Sequence, residues 1–266
     1  MILKERIERI QRKLGVEADG IVGADTVSAL ERVLEIIPFA ATPTVAPPLA
    51  VQTLTLSRLG IDQLVADEIS SEAYYAQRLS APSWPGGASG VTIGIGYDLG
   101  YRTRTAIVSD WTPHLPEQTV HHLRAAAGIR GQDAKGVARS LKQAGVRVPL
   151  EAAKRLFWAV TLPEFSDLTR KTFPGTEELP PDAQAALLSL IYNRGCSLAG
   201  SRRIEMASIK EHVRNQNLEA IAQELESMKR LWIGQGLDGL LKRREREAAL
   251  VRNCRRAYQQ NELIYA

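Results

Sequence analysis

The chain has 266 residues, 44% of them apolar and 24% charged, with a formal charge of +4 at pH 7. That length accommodates one sizeable domain plus a small appendage, and the composition is ordinary for a globular protein. No apolar run approaches the roughly 20 residues of a membrane-spanning helix, and charged residues interrupt Met1-Ile2-Leu3-Lys4-Glu5-Arg6-Ile7, which therefore lacks the pattern of a secretory signal.

Residues 1–37 read as a helical module. Ile7, Ile10, Gln11 and Leu14 fit one helix face, Gly15 is a stop signal, and Asp19-Gly20 marks a turn. A second apolar face of Val27, Leu30, Val33 and Leu34 follows. The segment from Ile10 to Thr26, with Asp19, Gly20, Gly23 and Thr26 in a D-G-x-x-G-x-x-T turn, resembles the peptidoglycan-binding repeat that accompanies wall-degrading enzymes. Residues 38–56 read as a linker. Pro38, Pro43, Pro47 and Pro48 lie among Ala, Thr and Val without a charge, which forbids a continuous helix and favours an extended spacer.

Residues 57–266 read as a mostly helical domain. Helical periodicity runs through 59–72, 117–127, 134–144, 150–164, 181–193, 202–215, 218–231 and 237–257, with Pro and Gly at the breaks. The strand material is Val91–Tyr97, where Val91, Ile93 and Ile95 alternate with Thr92, Gly94 and Gly96. One small sheet with a helical body makes the fold class α+β. Glycines weaken a strand unless a ligand or another part of the chain must come close to its backbone.

Two carboxylates stand near this strand. Leu64, Val65 and Glu68 share one side of the first helix by the three- and four-residue rule, so Glu68 sits at the apolar margin, where a carboxyl loses hydration of its charged form. Glu72 continues the same side one turn later, and helix geometry leaves the choice between the two open. Asp98 follows the strand, and alternation places Thr92, Gly94, Gly96 and Asp98 on one face.

Glu68, an aromatic at Tyr75 two turns on, and then Thr92-Ile93-Gly94-Ile95-Gly96 resemble the phage-type lysozymes. Tyr97 stands where the phage pattern has a histidine, and the aspartate follows the threonine instead of preceding it, as in the pesticin-like branch. Two later stretches extend the likeness. Leu188-Ser189-Leu190-Ile191-Tyr192-Asn193-Arg194-Gly195 is similar to the helix that borders the sugar site, and Gly236-Leu237 with Lys242–Leu250 is similar to the family's late arginine-rich helix.

The resemblance implies an N-acetylmuramidase that cuts the glycan between N-acetylmuramic acid and N-acetylglucosamine, with a weak leaning toward inversion. Glu68 would be the general acid, with Glu72 its alternative, and Asp98 the ionised partner. Thr92 would orient water, and Tyr97, Tyr192, Asn193 and Arg194 would border the substrate. No metal or organic cofactor is implied. The implied partner is bacterial peptidoglycan, met by a monomer made in the cytoplasm and acting in the periplasm or wall after release by a holin or a secretion apparatus. An effector of this kind would also meet secretion machinery or an immunity protein. A catalytically silent wall-binding protein is the alternative.

Other constellations are weaker. His114, His121, His122 and His212 lack metal-ligand spacing, and Cys196 and Cys254 read as free thiols. The arginine clusters 202–203, 243–246 and 255–256 suit an anionic polymer, but interspersed acids make them read as solvated helix faces, against a nucleic-acid partner, while the lack of a long apolar run reads against membrane insertion.

Overall fold

Helices dominate the architecture, and the α+β class holds. The computed structural model describes residues 3–23, 25, 26, 29 and 53–266. The chain divides into two units, Met1–Val51 and Gln52–Ala266. The linker stretch 38–52 and the second apolar face at Val27, Leu30, Val33 and Leu34 lie outside the described residues.

In the first unit, α1 (Leu3–Leu14) packs a turn against its own polar residue. Gln11 is 1% exposed, because both ends of its amide are satisfied. Its Nε2 donates to Asp19 Oδ1 at 2.7 Å, the Ile21 carbonyl at 2.8 Å and Thr26 Oγ1 at 3.0 Å, and its Oε1 accepts from the Gly20 N–H at 2.8 Å. Asp19 Oδ1 also accepts from the Ile21 N–H at 2.9 Å. The Asp-Gly-to-Thr motif is therefore a loop folded around one glutamine. Ile10, expected on the inward face, is exposed instead.

The second unit opens with β1 (Thr55–Ser57), antiparallel to β4 (Leu263–Tyr265) with Leu56 opposite Ile264. This ladder takes in Thr55 and Leu56, the last two residues of the stretch read as linker. It joins the two ends of the unit, which sequence periodicity did not anticipate, and the backbones of Leu54 and Ala266 exchange hydrogen bonds of 2.7 and 3.0 Å beside it. Ser57 then caps α2 (Arg58–Ile69) by accepting from the Gly60 N–H. A second ladder, β2 (Thr92–Ile93) with β3 (Tyr97–Asp98), lies between α2 and the helical body.

Helices α3 (Arg104–Trp111), α4 (Glu117–Leu123), α5 (Gln132–Gln143) and α6 (Leu150–Leu156) follow. A π-turn at Phe157–Thr161 carries α6 into α7 (Leu162–Thr172). Pro163 supplies the local reason, since it has no N–H for the carbonyl four residues back and the wider turn takes up the mismatch. Then come α8 (Pro181–Arg194), α9 (Ile204–Arg214), α10 (Leu218–Ser227) and α11 (Asp238–Arg252).

The core forms two clusters, and α8 belongs to both. Ala185 and Leu188 face the cluster built on α2, the hairpin and α3–α6, whereas Leu187, Leu190 and Ile191 face the one built on α9–α11. A helix apolar on every side can be stable only when buried on every side. That position explains how residues at the end of α8 can reach both lobes.

Candidate functional site

Glu68 occupies the last turn of α2. The helix ends at Ser70, whose φ of 59° turns the chain away, and a separate helical turn, Glu72–Tyr74, begins after it. The expectation that Glu72 continues the Glu68 stripe is therefore corrected, because the three- and four-residue rule holds only within one unbroken helix. Glu72 has a 77% exposed side chain and pairs at 3.4 Å with Lys154.

The Glu68 side chain is 25% exposed and is held by a buried arginine. Arg243 Nη1 donates to Glu68 Oε1 at 2.7 Å, a pair 175 residues apart. The same guanidinium donates through Nη2 to the Ser189 carbonyl and hydroxyl, both at 3.1 Å, and through Nε to Glu247 Oε1 at 3.3 Å. Ser189 Oγ and Arg244 Nη2 also donate to Glu247 Oε1, at 2.6 and 2.7 Å. Next to Glu68, Asp67 is ion-paired with Arg246. Burial alone would lower the Arg243 pKa, but the charges of Glu247, Glu68 and Asp67 outweigh it and raise the value. The end of α2, the middle of α8 and one face of α11 are thus fixed by a single charged network, with Glu68 at its solvent-facing margin.

Tyr192 links this network to the hairpin. Its hydroxyl donates to the Ile95 carbonyl at 2.8 Å, and its ring packs on Phe165 and Phe157. Burial raises its pKa, and the Glu68 charge raises it further against the opposing effect of Arg243. The single strand expected over 91–97 is instead a hairpin, since Gly94 and Gly96 both take positive φ (60° and 67°) and turn the chain within three residues. Alternating apolar and small residues look the same in a strand and in such a turn.

Thr92 and Asp98 therefore share a face as cross-strand partners and not through alternation along one strand. Nor is the glycine face an open floor. A Cβ at Gly96 would overlap the Tyr192 hydroxyl and reach 3.0 Å from its Cζ, while one at Gly94 would lie 3.2 Å from Ala153 Cβ. The close approach that these glycines permit is made by the protein itself.

Asp98 is half-buried. Its Oδ1 accepts from the Gly100 and Gly90 N–H groups at 2.8 and 3.1 Å, and its Oδ2 from Gly90 at 3.0 Å. It caps the 3₁₀ turn Leu99–Tyr101. Thr92 is half-buried, and its hydroxyl has no hydrogen-bond partner among the described residues.

Of the four residues expected at the substrate, Tyr97 is corrected to the core. It is 1% exposed, its hydroxyl donates to Asp110 Oδ2 at 2.6 Å, and its ring packs edge-on against Trp111. Tyr192, Asn193 and Arg194 are half-buried at the end of α8. Arg194 lies over the Trp232 ring at 5.0 Å, and its pKa is lowered to about 10 by burial and then by the nearby Arg203, Arg244 and Arg202 charges. Among the described residues no group of three His, Cys, Asp or Glu side chains could hold a metal ion.

The residues that sequence reasoning left out of the site are Asp67, Ser189, Arg243, Arg246 and Glu247. Their signal was present in the spacing of Arg243, Arg246 and Glu247, which puts two cations and a carboxylate on one side of α11.

Fold and site together define an α+β protein in which a helix-terminal glutamate is gripped by a buried arginine, and a neighbouring tyrosine, Tyr192, bonds to a short glycine-turned hairpin that carries a threonine and an aspartate. A family described as a domain of unknown function (DUF8812) is similar to this chain over residues 63–172. The matched segment contains Glu68, Thr92 and Asp98 but stops before α8 and α11, which supply Tyr192 and Arg243. No curated protein matches the chain.

Proposed function

We propose that the second unit is a peptidoglycan hydrolase of the muramidase type, with Glu68 as general acid, Asp98 as the ionised partner and Thr92 orienting water, and that the first unit binds wall. The observation that carries this reading is the placement of Glu68. A part-exposed carboxyl is oriented at a helix end by Arg243 and lies near Tyr192, which holds the hairpin turn; the pair accounts for its position, and the acid role requires its protonated form. Thr92 supports the water-orienting role, because its hydroxyl is uncommitted and can both donate and accept. Cleavage needs one protonated carboxyl to donate to the leaving oxygen and one ionised carboxylate to activate water or stabilise the cationic sugar. The backbone N–H groups of Gly90 and Gly100 hold the Asp98 carboxyl in a fixed orientation at the end of the hairpin.

The same bonds favour a second reading. A carboxylate that already accepts from Gly90 and Gly100 serves as a structural cap, as in a silent wall-binding protein. Zymography on purified peptidoglycan separates the two readings. Clearing by the wild type, lost in Glu68→Gln and in Asp98→Asn, supports the hydrolase. No clearing by a folded wild type that still sediments with wall supports the silent binder.

A further inference from the structure

A separate groove, away from the Glu68 network, opens between the start of α3 and the end of α4. It is an open groove with about 570 Å3 of space, and the residues that line it, Arg104, Thr105, Val108, His121, Arg124 and Ala125, are all exposed. Local geometry explains the convergence. Arg104, Thr105 and Val108 fall on one side of α3, and His121, Arg124 and Ala125 on one side of α4 and the turn after it. The short connection through Pro113 and Pro116 folds the two helices back on each other, so the start of one meets the end of the other.

Some arginines of the unit are matched by acids, as Arg102 is by Glu164, Arg170 by Asp167, Arg214 by Glu211, and Arg252 by Glu219 and Glu226, and those of this groove are not. No carboxylate lines the α3–α4 groove, and the side chains of Arg104, Arg124 and His121 make no ion pair or hydrogen bond among the described residues. Guanidinium groups on one groove without a counter-charge leave a positive patch that attracts an anion. The Thr105 hydroxyl adds a neutral donor, and Val108, 37% exposed, adds an apolar wall with Ala125.

We infer that this groove binds a phosphate ester on a small polyol or sugar. Two guanidinium forks and an imidazole supply N–H donors for a tetrahedral oxyanion, and the apolar wall accommodates the carbon skeleton. The groove leaves room for a group larger than a bare ion. Catalysis by the Glu68 site is not part of the inference, and each can fail without the other.

Isothermal titration of the full chain with glycerol 3-phosphate in chloride buffer tests it. Saturable binding of one ligand per chain is expected, weakened about tenfold or more in Arg104→Ala/Arg124→Ala. His121→Ala is expected to show a smaller loss, and Arg139→Ala, an exposed arginine on α5, is expected to bind as wild type. Circular dichroism checks that the variants fold, which they should, because the substituted side chains are exposed and make no ion pair or hydrogen bond among the described residues. A polyglycerol-phosphate chain that binds more tightly per phosphate than the monomer identifies a polymer as the source, and equal binding per phosphate identifies a soluble ester. Absence of saturable binding, equal binding by wild type and the double variant, or equal affinity for gluconate would overturn the inference.

Discussion

Replacing Arg243 with methionine keeps much of the side-chain volume and removes the charge that joins α2, α8 and α11. Cutting one partner from a buried charge network costs about 3–5 kcal/mol when the remaining partner is stranded. Here the stranding is incomplete. Glu68 is 25% exposed and can recover water, and Glu247 keeps Arg244 and Ser189 as partners. The Ser189 carbonyl and hydroxyl each lose an interaction with Arg243. The expected destabilisation is therefore about 2–3 kcal/mol, equivalent to roughly 5–10 °C in the thermal midpoint of a unit of this size.

A double-mutant cycle with Glu68→Gln isolates the direct pair. Its coupling should be about 1–2 kcal/mol, because the 2.7 Å bond is charge-assisted but partly wet. Urea denaturation read by circular dichroism measures all four proteins. Arg243→Lys should retain more stability than Arg243→Met yet lose most wall clearing, since a single ammonium cannot hold Glu68, Ser189 and Glu247 together. An Arg243→Met protein within about 0.5 kcal/mol of wild type, or a cycle with no measurable coupling, would refute the claim that this network positions Glu68.

Glu72→Gln should keep substantial lytic activity, because Glu72 lies beyond the helix break and is solvent-exposed; loss of clearing as complete as in Glu68→Gln would reverse the assignment of the acid. Gly96→Ala should destabilise by roughly 2–4 kcal/mol in denaturant titration, from its positive φ and its overlap with Tyr192. Adding Tyr192→Phe should recover only part of that loss, because removing the hydroxyl relieves the contact and leaves the φ strain. Deleting Leu263–Ala266 uncovers Leu54 and Leu56, both 0% exposed, and should cost about 2–4 kcal/mol in the same assay.

The Arg252 guanidinium holds the Glu226 carboxyl below its ordinary value of 4.5. A depressed carboxyl contributes stability that is present above the unfolded value and is lost as pH falls through the folded one. The thermal midpoint of wild type should therefore fall more steeply below about pH 4.5 than that of Arg252→Ala, with a difference under about 1 kcal/mol for so exposed a pair. Parallel acid limbs would contradict this.

The sequence by itself determined the helical body, the position of Glu68 on the first helix of the second unit, and the stretches that became α8 and α11. Periodicity and Pro/Gly punctuation are local properties, and helices follow from them. It also marked the Asp19–Thr26 turn, whose glutamine clamp closes over separations of 8 to 15 residues. Only the tertiary structure decided where those pieces meet. Arg243 and Glu68 are brought together by the packing of α11 and α2 around the central helix, and no local pattern encodes such a contact. The hairpin was hidden because a positive φ at glycine leaves no trace in an alternating pattern, and Glu72 was separated from Glu68 by one backbone angle at Ser70. Tyr97 was drawn into the core for the same kind of reason. An aromatic beside a glycine turn is an equally good candidate for ligand and for packing, and Asp110 and Trp111, supplied by α3, determine which role it takes.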